Sequence, residues 1–260
     1  MTILDTIIAK KSIEVEQAKK QVTIKGLEKM PLFARACLSL RNSILDVEKN
    51  GIIAEYKRAS PSKGIINDRS AVAEVTAGYQ HAGASAVSVL TDHDFFKGSL
   101  EDLVQARAAL QIPLLRKEFV IDSYQIAEAK AYGADIILLI AAVLTPEQVR
   151  DLSTYAKSLG MNVLLEVHNR TELGRTLMDT VDAVGVNNRN LNDFSVSLDH
   201  SFELVDLIPS SFIKVSESGI SDPHTIRTLR KAGFQGFLIG ENFMKTGNPA
   251  QAIKEFVAEL

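Results

Sequence analysis

Residues 52–64, IIAEYKRASPSKG, set the reading of this chain. Ile52, Ile53 and Ala54 form a short apolar run of the kind a buried strand uses. Glu55, Tyr56, Lys57 and Arg58 follow without a break, and Ser60-Pro61-Ser62-Lys63-Gly64 turns the chain away. In a strand, alternate residues share a face, so Glu55 and Lys57 point the same way. Two opposite charges on the inward side of a strand end need a polar site, because burying them unpaired is costly. Such a pair also occurs for purely structural reasons, so the rest of the chain must decide between a salt bridge and a site.

Outward from this stretch a rhythm appears. Short apolar runs alternate with amphipathic helical patterns. The runs are 52–56, 86–90, 113–117, 135–140, 162–167, 183–186, 212–215 and 236–239. Thr145-Pro146-Glu147-Gln148 carries a capping Thr, a first-turn Pro and a Gln at the third helical position. Val149, Leu152, Ala156 and Leu159 continue the helical spacing up to Gly160. Asp222-Pro223 and Asn248-Pro249 repeat the cap-then-proline start, and Val72, Val75 and Tyr79 form another stripe. Gly83, Gly133 and Gly233 mark further helix ends.

Strands apolar on both faces, each followed by a helix, mean a parallel sheet covered on both sides. Right-handed crossovers leave a closed barrel or an open doubly wound sheet. Eight βα units in this length favour a (β/α)8 TIM barrel, and no GxGxxG follows the first strand. Residues 1–260 therefore read as a single barrel domain, with 1–48 as a helical extension packed on it. Within that extension the spacing predicts a helix over residues 3–20 and a second around Leu32–Leu40. Cys37 reads as small apolar filler.

Composition narrows the function classes. Of 260 residues, 46% are hydrophobic and 23% charged, and the net charge is −3, which is ordinary for a soluble globular protein with no basic field for nucleic acid. One cysteine excludes an intrachain disulfide. The N-terminal stretch has neither a signal peptide's apolar core nor a membrane span, so a reduced cytoplasmic setting is expected. The five histidines show no metal-ligand spacing, and His168 reads as a hydrogen-bonded supporting residue.

In a barrel, chemistry gathers at the C-terminal ends of the strands. Here those ends carry Glu55, Lys57 and Ser60; Thr91 and Asp92; Lys117; Glu166 and His168; Asn187, Asn188 and Arg189; Glu217, Ser218 and Gly219; and Gly240, Glu241 and Asn242. Loops after the seventh and eighth strands of many barrels hold a phosphate with backbone N–H groups. Gly219 and Gly240 permit the close backbone approach this needs, although they also suit plain βα turns. A phosphorylated small substrate is expected, handled by Lys and Glu acid–base chemistry. A lysine close to another cation has a lowered pKa, so Lys117 is expected to release a proton near neutrality if Lys57 lies beside it.

Taken together, IIAEYKRASPSKG, LLRKEF, LLEVH, GVNNRNL, VSESGI and IGENFM resemble the indole-3-glycerol phosphate synthase family of tryptophan biosynthesis, in order and across essentially the whole chain. The resemblance implies a lyase that closes an indole ring on 1-(2-carboxyphenylamino)-1-deoxyribulose 5-phosphate, losing CO2 and water, with no cofactor. It makes Lys117 the general acid at the carbonyl oxygen and Glu166 its partner in dehydration. Glu55 would orient the lysines, and Lys57 would contact the anionic substrate. Ser60 and Asn187 would position the anthranilate part, braced by Arg189. Ser218, Gly219, Gly240 and Asn242 would cradle the phosphate, with Glu217 also at the substrate. Phe95 and Phe119, with Phe96 as a further candidate, would line the aromatic pocket. Asn242 departs from the small Ser or Ala often found there. The chain ends at Leu260 without the second barrel some relatives carry, and a monomer is expected, with a weak homodimer as the alternative. The competing readings are a phosphoribosylanthranilate isomerase, whose strand-1 Cys is Tyr56-Lys57 here, and a barrel that binds a phosphometabolite without turnover.

Overall fold

The computed structural model describes residues 2–190 and 193–260. Eight parallel strands close into a barrel: β1 (Ile52–Tyr56), β2 (Ala86–Leu90), β3 (Leu114–Lys117), β4 (Ile136–Ile140), β5 (Asn162–Val167), β6 (Ala183–Asn187), β7 (Ile213–Glu217) and β8 (Gly236–Ile239). Neighbours in sequence are neighbours in space, and β1 pairs with β8 to complete the ring. Three helices precede the barrel, α1 (Ile3–Gln21), α2 (Ile24–Leu27) and α3 (Leu40–Ile44). The crossovers carry α4 (Val72–His81), α5 (His93–Phe96), α6 (Leu100–Ala109), α7 (Ser123–Ala131), α8 (Pro146–Ser158), α9 (Arg170–Thr176), α10 (Asp199–Leu204) and α11 (Pro223–Ala232). After β8 come α12 (Glu241–Met244) and α13 (Pro249–Ala258). The helix signals in the sequence act as read: Thr145 and Gln148 form a capping box, and Asp222 and Asn248 each cap a helix that opens with proline.

Strand alternation divides the apolar residues into two cores. Ile52, Ala54 and Tyr56 face the helices, together with Val87, Val89, Val163 and Leu165. Ile53 faces the barrel axis with Leu115, Leu138, Ile140, Leu164, Val215 and Leu238. The inward side chain after Ile53 is Glu55 and the next is Lys57, so the alternation that fills the barrel with hydrocarbon also delivers charge to its mouth. At the opposite end, Leu40 and Ile44 of α3 pack into the axial cluster and close the barrel floor.

One expected helix is absent. Residues 32–39 hold turns and extended chain, and the helix starts only at Leu40, capped by Ser39. The reason is a competing set of hydrogen bonds. Asp135, at the base of β4, accepts from the Leu38 N–H at 2.8 Å and from Arg35 at 2.6 Å, while Asn162 receives the Leu40 N–H and donates to the Leu38 carbonyl. Cys37 packs partly against the outer core, with its Sγ 3.0 Å from the Lys130 amine.

Candidate active site

The mouth of the barrel gathers the charged residues that the strands carry inward. Lys117, the last residue of β3, lies 3.2 Å from Glu166 of β5 and 3.6 Å from Glu217 of β7. Glu55 and Lys57 pair at 2.9 Å. Asn187, beside Glu217 in the β6–β7 register, donates to the second oxygen of Glu166 at 3.1 Å. Lys57, Lys117, Glu55, Glu166 and Glu217 thus share one cup with Ser60, Arg189 and Ser218. The cup encloses about 150 Å³ over an apolar base of Leu90, Leu138, Ile140 and Leu238.

Two glycines make room for the carboxylates. A Cβ on Gly185 would stand 1.9 Å from Glu217 Oε1, and one on Gly240 would stand 2.6 Å from Glu55 Oε1. Gly185 within β6 and Gly240 just after β8 give up a side chain so that a neighbouring carboxylate can lie across them.

The electrostatics overturn one expectation. Lys117 is not a low-pKa amine. Burial works against its charge, but the carboxylates of Glu166, Glu217 and Glu55 outweigh that and hold it well above the usual lysine value. Lys57 is tied to Glu55, so a field of anions rather than a second cation surrounds Lys117. Glu166 goes the other way from Glu217. Burial alone would raise it, but Lys117, His168 and the Asn187 hydrogen bond bring it below the ordinary carboxylate range. Burial pushes Glu217 up to about 8, with Lys117 opposing and the charges of Glu166 and Glu55 adding. The lysine therefore sits between two carboxyls whose affinities for a proton are driven apart in opposite directions, a pairing suited to acid–base work.

Glu217 gives a stability signature. The folded chain holds its proton up to about pH 8, whereas the unfolded chain releases it in the ordinary carboxylate range. Stability from this group thus falls as pH rises through that window and levels off above it. Glu217→Gln mimics the neutral acid. Near pH 5 its Tm should match the parent, and near pH 9 it should exceed it by up to about 8–16 °C, since a carboxyl raised from 4.5 to about 8 costs up to roughly 4 kcal/mol over that range. A gap that stays constant across that range would mean that Glu217 is ionised throughout.

A second cavity of about 370 Å³ adjoins the cup and shares Glu55, Lys57, Arg189 and Ser218 with it. Ser218, Gly219, Gly240 and Asn242 line it, with Lys63 and Lys245 added to the shared cations. Ser218 and Gly219 both have left-handed backbone, at φ 67° and 77°. Glu241 stands among these cations, 3.5 Å from Arg189 and 4.0 Å from Lys63.

Several residues lie elsewhere than the sequence suggested. The Phe95 ring turns to the Lys10 amine, 5.3 Å from its centroid, and does not line the cup. Phe96 lines it instead, 6.1 Å from Phe119. Thr91 and Asp92 point away from the cup: Thr91 donates to Glu118, and Asp92 pairs with Lys11. The strand pattern missed the roof, where Ile3, Leu4 and Ile7 of α1 lie over the cup. Their helix is pinned by buried Lys11, within 3.0 Å of Glu14, Asp92 and Glu118. Among the described residues, no group of three or more His, Cys, Asp or Glu side chains is arranged to hold a metal ion.

Comparison with known proteins places this geometry. The family profile described as indole-3-glycerol phosphate synthase matches residues 4–256. The protein of that name from Bacteroides thetaiotaomicron is 45% identical over 258 residues, covering 99% of this chain and 98% of that one. The one from Bordetella pertussis is 42% identical over 262 residues, covering 98% and 99%. Among solved structures, a chain of the tryptophan synthase complex of Pyrococcus furiosus matches with a TM-score of 0.61 at 16% identity, covering 82% of this chain and 98% of that one. At that identity the likeness concerns the fold alone. Matched along nearly its whole length by the profile and by relatives above 40% identity, this chain belongs to the indole-3-glycerol phosphate synthase family.

Proposed function

We propose that this chain is an indole-3-glycerol phosphate synthase whose cup closes the indole ring of 1-(2-carboxyphenylamino)-1-deoxyribulose 5-phosphate. The observation that carries the proposal is the Lys117 ammonium held between Glu166 and Glu217 above an apolar base. The aromatic part lies against Leu138, Ile140, Phe96 and Phe119, under Ile3 and Leu4. The phosphate occupies the adjoining cavity, near Ser218, Gly219, Gly240 and Asn242, with Lys57 between the two regions.

Chemistry follows from the charges. The ring carbon that bears the carboxylate bonds to the ribulose carbonyl carbon while Lys117 protonates the carbonyl oxygen. An alkoxide developing there is a strong base, so even a high-pKa ammonium is an effective donor. The bond to the carboxylate then breaks, its electron pair restores the aromatic ring, and CO2 leaves. The new hydroxyl departs as water with a second proton, and the adjacent methylene carbon gives one up. Glu166, ionised and oriented by Asn187, serves that last exchange. Glu55 fixes Lys57, and Ser60 and Arg189 bound the substrate from the rim. A biosynthetic enzyme of this kind works in the cytoplasm.

The test is turnover of the anilino-deoxyribulose phosphate followed by indole absorbance; binding without turnover would favour a silent barrel. The phosphate placement has its own check. Ser218→Asp sets a fixed anion against the phosphate and should raise KM by about 10-fold or more, from a like-charge penalty of roughly 1.4 kcal/mol upward. An unchanged KM would move the phosphate elsewhere.

A further inference from the structure

Proton balance in this reaction leads to a residue outside the cup. The substrate carboxylate departs as neutral CO2. The carbonyl oxygen takes up one proton to become a hydroxyl and a second to leave as water, while the methylene carbon returns one. Each turnover therefore consumes one proton net, and it must come from solvent into a buried site roofed by α1.

A continuous chain of titratable groups leads outward. Lys117 Nζ is 3.2 Å from Glu166 Oε2, and Glu166 Oε1 is 3.5 Å from His168 Nε2. His168 Nδ1 is in turn 3.2 Å from Glu172 Oε2. Glu172 is held in place by the His168 backbone N–H at 2.8 Å and by the Asn169 amide at 2.8 Å. His168 and Glu172 line a side cavity of about 310 Å³ that shares Leu4, Asn187 and Arg189 with the cup. His168 Nε2 is buried, has no hydrogen-bond partner and faces Glu166. A nitrogen left unsatisfied in that position costs stability, which suits a group whose partner is transient.

Resting on the ring-closure reading, we propose that His168 relays the proton consumed in each turnover, taking it on the Glu172 side and passing it to Glu166, which reloads Lys117. His168 acts through Glu166 and does not touch the substrate. In each cycle the Nε2–H bond breaks as an O–H bond forms on Glu166, leaving a neutral ring that still carries hydrogen on Nδ1; the ring then turns about its Cβ–Cγ bond, and a proton from solvent reaching the side cavity binds the freed nitrogen and restores the imidazolium. The charged groups facing the ring suit the role. Burial disfavours the imidazolium, but the Glu172 hydrogen bond and the charges of Glu166 and Glu172 outweigh it and raise the ring above the ordinary histidine value. His200 and Arg189, which also borders the cup, line the same cavity.

Steady-state turnover of the anilino-deoxyribulose phosphate by the full chain tests this. His168→Ala should lower kcat by about 10- to 10²-fold with KM within about threefold, the lower range of proton-transfer contributions. Added imidazole should restore kcat saturably, and across substituted imidazoles the restoration should follow the additive's pKa. A purely structural histidine would show no such dependence. The proposal is overturned if His168→Ala keeps its kcat, or if a folded His168→Ala with lowered kcat is unmoved by imidazole. Should that variant fail to fold, Glu172→Gln decides: a lowered kcat with a larger solvent deuterium isotope effect supports the relay, and unchanged values overturn it. Absence of turnover in the parent chain would instead strike the ring-closure reading.

Discussion

Lys117→Ala should lower kcat by about 10²–10⁴-fold, the usual cost of a missing general acid. Among the described residues, Lys57 is the other lysine lining the cup, and it is not placed to take over. Lys57 is bound to Glu55 at 2.9 Å, and its strand lies across the cup from Glu166. Lys117→Arg separates charge from proton donation. A guanidinium preserves the positive field but does not release its proton, so this variant should stay slow while binding the anionic substrate with a KM close to that of the parent. Turnover at saturating substrate measures both, and near-normal kcat in either variant would remove Lys117 from the acid's role.

The largest effect on folding is expected at Asp135, far from the chemistry. Its carboxylate is fully buried and accepts from Arg107 at 2.8 Å, Arg35 at 2.6 Å, and the Leu38 and Leu114 backbone N–H groups at 2.8 and 2.9 Å. It thereby ties the N-terminal segment, α6 and β3 to the base of β4. Asp135→Ala strands the Arg107 charge in a buried site, which costs about 3–5 kcal/mol. For a chain of this size that is a fall in Tm of about 6–20 °C at roughly 2–4 °C per kcal/mol. Thermal unfolding followed by circular dichroism would measure it. A shift below about 2 °C would mean that the two arginines find other acceptors.

What the sequence revealed and what it hid follow one physical division. Strand period and helix caps are local, so the eight strands and the convergence of Glu55, Lys117, Glu166 and Glu217 could be read from spacing. Long-range partners could not. Nothing near Lys11 announces that it will meet Asp92 and Glu118, or that α1 will roof the cup. The region 32–39 was misread because its hydrogen bonds go to Asp135 and Asn162, about 100 or more residues away. Phe95 and Phe96 are adjacent on a short helix and point in different directions, so composition could not choose between them. The Lys117 prediction failed for the same reason. Sequence counted a neighbouring lysine, but the net of three carboxylates exists only in space.

Closing the lower end of the barrel with Leu40 and Ile44 makes the reaction chamber a cul-de-sac. Whatever forms there cannot leave through the floor and has to pass out at the C-terminal ends of the strands. The first turn of α1, through Ile3, Leu4 and Ile7, sits over that upper end.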